Sequence, residues 1–138
     1  MAECYLLAIA RGGSLDRDTN NWTLFALTEQ ILLTPGAPPA GEVGVGLPLE
    51  VHVYWQFDVT ELGRTLEFRL IFSNGEDEKR TQAFEVVSTN PRHRTRIAGA
   101  PLLLEGDTRM KVEWRLDQSG DWTKSPAFWP FVVQRQPA

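Results

Sequence analysis

Three arginines alternate with other residues in "NPRHRTRI": Arg92, Arg94 and Arg96. Successive side chains of an extended chain point to opposite faces, so the three guanidinium groups share one face, and His93, Thr95 and Ile97 share the other. Such a row can hold phosphates or carboxylates through bidentate hydrogen bonds. It can equally be a solvated strand face paired with acidic neighbours, for which Glu67, Glu85 and Glu113 are the candidates. A second feature is apolar. "SPAFWPFVV" places Phe128, Trp129 and Phe131 within four residues, more than one inward face accepts. Either one of these aromatics is exposed, or the chain twists and buries all three. Pro126 and Pro130 cannot donate ladder hydrogen bonds, which predicts a strand at a sheet edge or one that starts late. Arg92, Arg94, Arg96, Phe128, Trp129 and Phe131 are therefore the candidate partner-binding residues.

Other chemistries find less support. Metal sites need clustered ligands at defined spacing, and the chain has two histidines (His52 and His93) and one cysteine, with no C-x-x-C or H-x-x-x-H pair. "DRDTNN" has D-x-D-x-N spacing at Asp16, Asp18 and Asn20 but lacks the glycine and the closing glutamate of a calcium loop. A polar turn is the simpler expectation. The serines lie in turn-like contexts without G-x-S-x-G, and Cys4 falls in a predicted strand as an inert thiol. His93 with Glu85 or Glu105 can form an acid–base pair, though no spacing selects them. "GEVGVG" at 41–46 is glycine-rich without the Lys-Ser/Thr and helix of a phosphate cradle. The expectation is a non-enzyme with no catalytic residue, metal or cofactor.

The elements that must position these residues read as strands. In "EVHVYWQF", Val51, Val53, Trp55 and Phe57 share one face; in "LEFRLIF", Leu66, Phe68, Leu70 and Phe72; in "MKVEWRL", Met110, Val112, Trp114 and Leu116. This strict alternation marks half-buried strands. "CYLLAIA" is read as a first strand. "TELGR" at 60–64, Asn74-Gly75 in "SNGEDEKR" before "AFEVV", and Ser119-Gly120 in "LDQSGDW" supply the turns. The segment "NNWTLFALTEQILLTPG" at 20–36 is ambiguous. Leu24, Leu27 and Ile31 fall at helical spacing, yet Trp22, Thr23, Phe25 and Thr28 suit a pleated surface. Two strand pieces are expected, at 22–28 and 30–33, with a register shift at Glu29 and Gln30; a short helix is the alternative. Residues 34–48, holding four of the nine prolines and four of the eleven glycines, read as a long and mobile loop.

Repeated strand–turn spacing without helical patterns predicts an all-β fold, an antiparallel sandwich of about seven to eight strands in one domain spanning 1–138. The lone Cys4 excludes an intrachain disulfide, no apolar run approaches the roughly 20 residues of a membrane span, and no basic region precedes "CYLLAIA". The expectation is a cytoplasmic protein without membrane contact. The net charge of −4 argues against nucleic acid as a partner.

An N-terminal strand, a turn with an acidic residue, then "WTLFALTEQILL", a Pro-rich loop, "LPLEVHVYWQF", the "LEFRLIFSNGE" hairpin and "EGDTRMKVEWRLDQSGDWTKSPAFWPFVV" follow one another. This order resembles an uncharacterised family of small bacterial immunoglobulin-like β-sandwich proteins, over nearly the whole chain. The resemblance implies an immunoglobulin-like sandwich of unassigned role. The cysteine pair of antibody domains is not matched. The resulting expectation is a non-catalytic protein–protein interaction or assembly module, partnered by another protein or by itself. The alternative is a small-ligand or carbohydrate-binding sandwich that uses some of the five tryptophans.

Overall fold

A computed structural model describes residues 1–138 except Gly44, Val45, Pro101 and Ser119. The described residues form ten strands: β1 (Glu3–Asp16), β2 (Asn21–Leu27), β3 (Gln30–Leu33), β4 (Glu50–Gln56), β5 (Thr65–Ser73), β6 (Glu78–Arg80), β7 (Phe84–Val87), β8 (Arg92–Ala98), β9 (Gly106–Leu116) and β10 (Thr123–Arg135). Two layers result. One sheet has the order β2-β1-β4-β8, and the other β3-β10-β9-β5-β6, with β7 also on β5. The all-β reading stands, with more strands than the expected seven to eight and one departure from antiparallel pairing: β3 runs parallel to β10. No helix among the described residues is long and apolar enough to cross a membrane.

The three alternating segments are β4, β5 and β9, and their apolar faces meet between the layers. Val51, Val53, Trp55, Leu66, Phe68, Leu70, Phe72, Met110 and Val112 are buried there, with Trp55 tilted against Phe68 at 5.4 Å between ring centres. The outer face of the second sheet carries charge. Glu67 and Glu113 are buried acids, satisfied by Arg115 at 2.9 Å, and by Arg69 and Arg80 respectively. Trp122 lies over the guanidinium groups of Arg69 and Arg115, at 4.1 and 4.5 Å from its ring centre. Cation–π contact and ion pairing thus fix the same two arginines. These acids were the expected partners of the Arg92–Arg94–Arg96 row, but they stand on the other sheet and serve other arginines.

The ambiguous segment is two strands, and they belong to different sheets. β2 pairs with β1, and β3 pairs with β10. Glu29 marks the crossing between layers, where its carbonyl accepts the Val132 N–H at 2.8 Å; the expected bulge is a change of sheet. β1 is twice as long as "CYLLAIA", because it continues through Gly12 and Gly13 to Asp16. Asn74-Gly75 does make a hairpin, with Gly75 at φ +91, but it leads first to the short β6; β7 then rejoins the same edge of β5. Asp117 and Gln118, at φ 54 and 55, carry the turn after β9; of the predicted Ser119-Gly120 pair, Ser119 lies outside the described residues.

The Pro-rich stretch is held in place rather than loose in its first half. The Arg135 guanidinium donates to the carbonyls of Thr34, Ala37 and Pro38 at 3.2, 2.7 and 3.1 Å, and pairs with Glu105 at 2.7 Å. A short helical turn, α1 (Ala40–Val43), follows with Ala40 buried.

Candidate functional site

The far half of the β1–β2 hairpin folds as an arm across the outer face of β4. Trp22 and Leu24 pack tightly over Gly13, where a Cβ would stand 3.2 Å from the Trp22 ring and 3.3 Å from Leu24. Beneath the arm lies a run of aromatic rings in edge contact: Trp22 on His52 at 6.4 Å, His52 on Tyr54 at 6.0 Å, and Tyr54 on Tyr5 at 6.1 Å. The arm explains why β4 is buried on both faces, with His52 only 1% exposed.

Three polar atoms under the arm lack hydrogen-bond partners: Glu50 Oε2, His52 Nε2 and the Tyr54 hydroxyl; Thr95 Oγ1, on the opposite face of β8, lacks one as well. Glu50 Oε2 stands 3.4 Å from His52 Nε2 and 3.3 Å from Arg96 Nε, close enough for charge attraction but not aligned as hydrogen bonds. Burial pushes the His52 pKa below its ordinary value, against the pull of Glu50, so the imidazole is neutral at neutral pH. The charge partner of Glu50 is therefore Arg96. Burial likewise raises the Tyr54 phenol and lowers His93.

β8 presents Arg92, Arg94 and Arg96 in register with Gln56, Tyr54 and His52 of β4. They share a face as the alternation requires, yet their surroundings differ. Arg96 meets Glu50. Arg94 donates to the Asn20 carbonyl at 3.0 Å and lies 5.8 Å from the Tyr54 ring centre. Arg92 has no ion pair among the described residues. A cleft of about 460 Å³ opens between the hairpin turn (Thr19 to Trp22) and the start of β8, and Arg92 and Arg94 line it with Asn90. The turn itself is held by Asp16, whose Oδ1 accepts the N–H groups of Asp18 and Thr19 at 2.9 and 3.4 Å. Those bonds, the Asp18 N–H foremost, draw the Asp16 pKa down. "DRDTNN" is thus an Asx turn, with Asn20 at φ 59.

The aromatic cluster lies elsewhere. β1 pairs with β4 over residues 3–10 and with β2 only from Ala10 onward, while β10 gains β3 only from Val132. The first halves of β1 and β10 therefore each have one edge without a strand partner, and these edges face one another. Between them runs an apolar groove of about 400 Å³, lined by Tyr5, Leu6, Leu24, Leu27, Phe128 and Trp129 among others. Tyr5, Leu27 and Phe128 are 48, 53 and 46% exposed. Trp129 is half-buried and donates its indole N–H to the Thr28 carbonyl at 2.8 Å. Phe131 is core, edge-on to Phe72 at 6.3 Å, and so is out of reach of a partner in the folded chain. Pro126 falls in the register break between Lys124 and Phe128. The strand does not start late, since β10 begins at Thr123 with both prolines inside it; over that first stretch it has β9 on one side and no strand on the other, the edge position that the prolines allow.

The six candidate residues divide accordingly. The arginines lie on β8, at one edge of the first sheet; Phe128 and Trp129 lie by β1, with β4 intervening. They do not form one surface. Tyr5 and Leu27 complete the groove, and Trp22, His52 and Tyr54 the covered face; only the Gly12-Gly13 pair and the histidine inside an alternating strand hint at these in the sequence. No known protein-family model matches the chain, and no curated protein matches it.

Proposed function

We propose that the protein is a non-catalytic protein-binding or assembly module that takes an extended apolar segment of a partner protein along the groove between β1 and β10. The observation that carries this reading is the pair of facing strand edges with exposed Tyr5, Leu27 and Phe128 beside them. An extended segment can lie along such a groove with alternate side chains in its apolar pockets. Phe128 also carries Arg109 at 4.8 Å from its ring centre, a cation at the rim of the groove.

We further read the sandwich as immunoglobulin-like and the chain as a member of the small bacterial family that its sequence resembles. The neighbours β1-β4-β8 and β5-β9-β10 support this, since they follow the A-B-E and C-F-G orders of that architecture. In the same proposal the protein works in the cytoplasm without nucleic acid or membrane. A buried, unpaired Cys4 thiol, pushed up to about 11 by burial, suits a reducing compartment.

The test is a display library of short unstructured peptides selected against the protein and against its Phe128→Glu and Leu27→Asp variants. Both positions are exposed, so the variants keep the fold. Alternating apolar peptides enriched by the wild type and lost by both variants are expected. Sedimentation over a range of concentrations detects a second copy as the occupant, again sensitive to both substitutions. No enrichment and no self-association, or equal behaviour of wild type and variants, refutes the groove as the binding face.

A further inference from the structure

We propose that the cleft between the hairpin turn at Thr19 to Trp22 and the start of β8 binds a phosphate monoester, its phosphate bridging Arg92 and Arg94 and its organic group resting on Trp22. Charge is the first argument. Arg64, Arg69, Arg80, Arg96, Arg115 and Arg135 each meet a carboxylate. Among the described residues Arg92 and Arg94 meet none, as is also true of the exposed Arg11, Arg17 and Arg109, but Arg92 and Arg94 line one cleft together and no Asp or Glu lines it, although the chain as a whole is acidic with a net charge of −4. Two uncompensated guanidinium groups on one strand face are a local field of opposite sign to the molecule.

Order is the second argument. Arg94 is held by the Asn20 carbonyl and by the Tyr54 ring, which fixes its guanidinium while leaving most of its N–H groups for a ligand. In the hairpin turn, Asp16 Oδ1 accepts the N–H groups of Asp18 and Thr19, which fixes the wall that the turn supplies. Ser88 and Asn90 are tied together, the hydroxyl donating to the Asn90 carbonyl at 2.9 Å, so the opposite wall is also fixed. The wall supplied by Trp22 is braced from behind by His52.

The third argument selects the ligand class. One guanidinium satisfies a carboxylate through a single bidentate pair, whereas two guanidinium groups match the three terminal oxygens and double charge of a phosphate monoester. The amide side chains of Asn20, Asn21 and Asn90 add neutral donors around it. The indole face of Trp22 accepts a flat or apolar group on the ester oxygen.

The experiment is a titration of the full chain with phenyl phosphate at low salt, followed by amide and indole N–H resonances. Saturable shifts are expected at the Trp22 indole, Asn20, Asn21, Arg92 and Arg94, and none with phenol. Arg92→Gln and Arg94→Gln should each weaken binding by about tenfold or more, the size of one charge-assisted pair. Arg96→Gln removes the same charge outside the cleft and should leave binding within about twofold. Arg92 is exposed without an ion pair, so its variant stays interpretable even if Arg94→Gln disturbs the fold. A short phosphotyrosine peptide run in parallel identifies the source: tenfold tighter binding than phenyl phosphate assigns a phosphorylated protein, and equal binding a small molecule. Absence of saturable shifts, or loss by Arg96→Gln as large as by Arg92→Gln, overturns the site. Inorganic phosphate binding as tightly as phenyl phosphate overturns the role given to Trp22.

Discussion

Trp55 offers the sharpest test of how the core is built, because it is completely buried and its indole N–H has no hydrogen-bond partner. Two substitutions separate these properties. Trp55→Ala removes the ring that packs on Phe68 and should cost about 3–5 kcal/mol, as large-to-small core changes do. With 138 residues at about 2.1 cal/mol/K each, the entropy of unfolding is about 0.29 kcal/mol/K, so the loss corresponds to a fall in Tm of roughly 10–17 °C. Trp55→Phe keeps an aromatic ring against Phe68 and leaves a void of roughly 40 Å³, worth about 1 kcal/mol at ~24 cal/mol per Å³. It also deletes the orphan donor, whose burial costs about 1–3 kcal/mol. The two effects oppose each other, and Trp55→Phe should lie between wild-type stability and about 2 kcal/mol above it, a rise in Tm of at most roughly 7 °C. Urea midpoints and thermal melts of both variants give the answer. A phenylalanine variant as unstable as the alanine variant would mean that the indole N–H is bonded in the native state. An alanine variant melting with wild type would remove Trp55 from the core altogether.

Acidification should destabilise the fold through its two histidines. Burial holds His52 and His93 below the ordinary 6.5, so the unfolded chain takes up protons first, and stability present above pH 6.5 is lost as pH falls toward the folded values. Urea midpoints from pH 7.5 to 5 should decline in wild type and flatten in His52→Gln/His93→Gln; a flat wild-type profile counts against neutral burial of both rings. Arg135→Ala should cost roughly 1–3 kcal/mol, the loss of charge-assisted bonds to three carbonyls, and speed hydrogen exchange at Ala37 and through Ala40–Val43. Unchanged exchange there would show that the segment is held by something other than Arg135.

Alternation of period two is a local property, and it made β4, β5 and β9, together with their inward residues, legible in the sequence alone. Turn chemistry was local too, so Gly75 and the end of the segment at Leu33 followed from residue type. The arginine row kept its common face for the same reason. What each arginine meets was not local. Glu50, six residues before Gln56 on a neighbouring strand, takes Arg96, whereas the acids that alternation suggested lie one layer away.

Tertiary structure decided everything that depends on how edges are shared. "WTLFALTEQILL" reads as two strand pieces in sequence, but their assignment to opposite sheets depends on β1 and β10, both distant along the chain. His52 and Tyr54 read as the solvent face of β4 until the hairpin arm covers them, and within that arm Trp22 packs closely over Gly13. Composition marked residues 34–48 as loose, whereas Arg135, about a hundred residues away, supplies donors to its carbonyls. The aromatic triplet shows the division most plainly. Its spacing established that Phe128, Trp129 and Phe131 could not all face one way in a regular strand, and only the register break after Lys124 and the missing neighbour of β10 determined that Phe128 is outside and Phe131 inside.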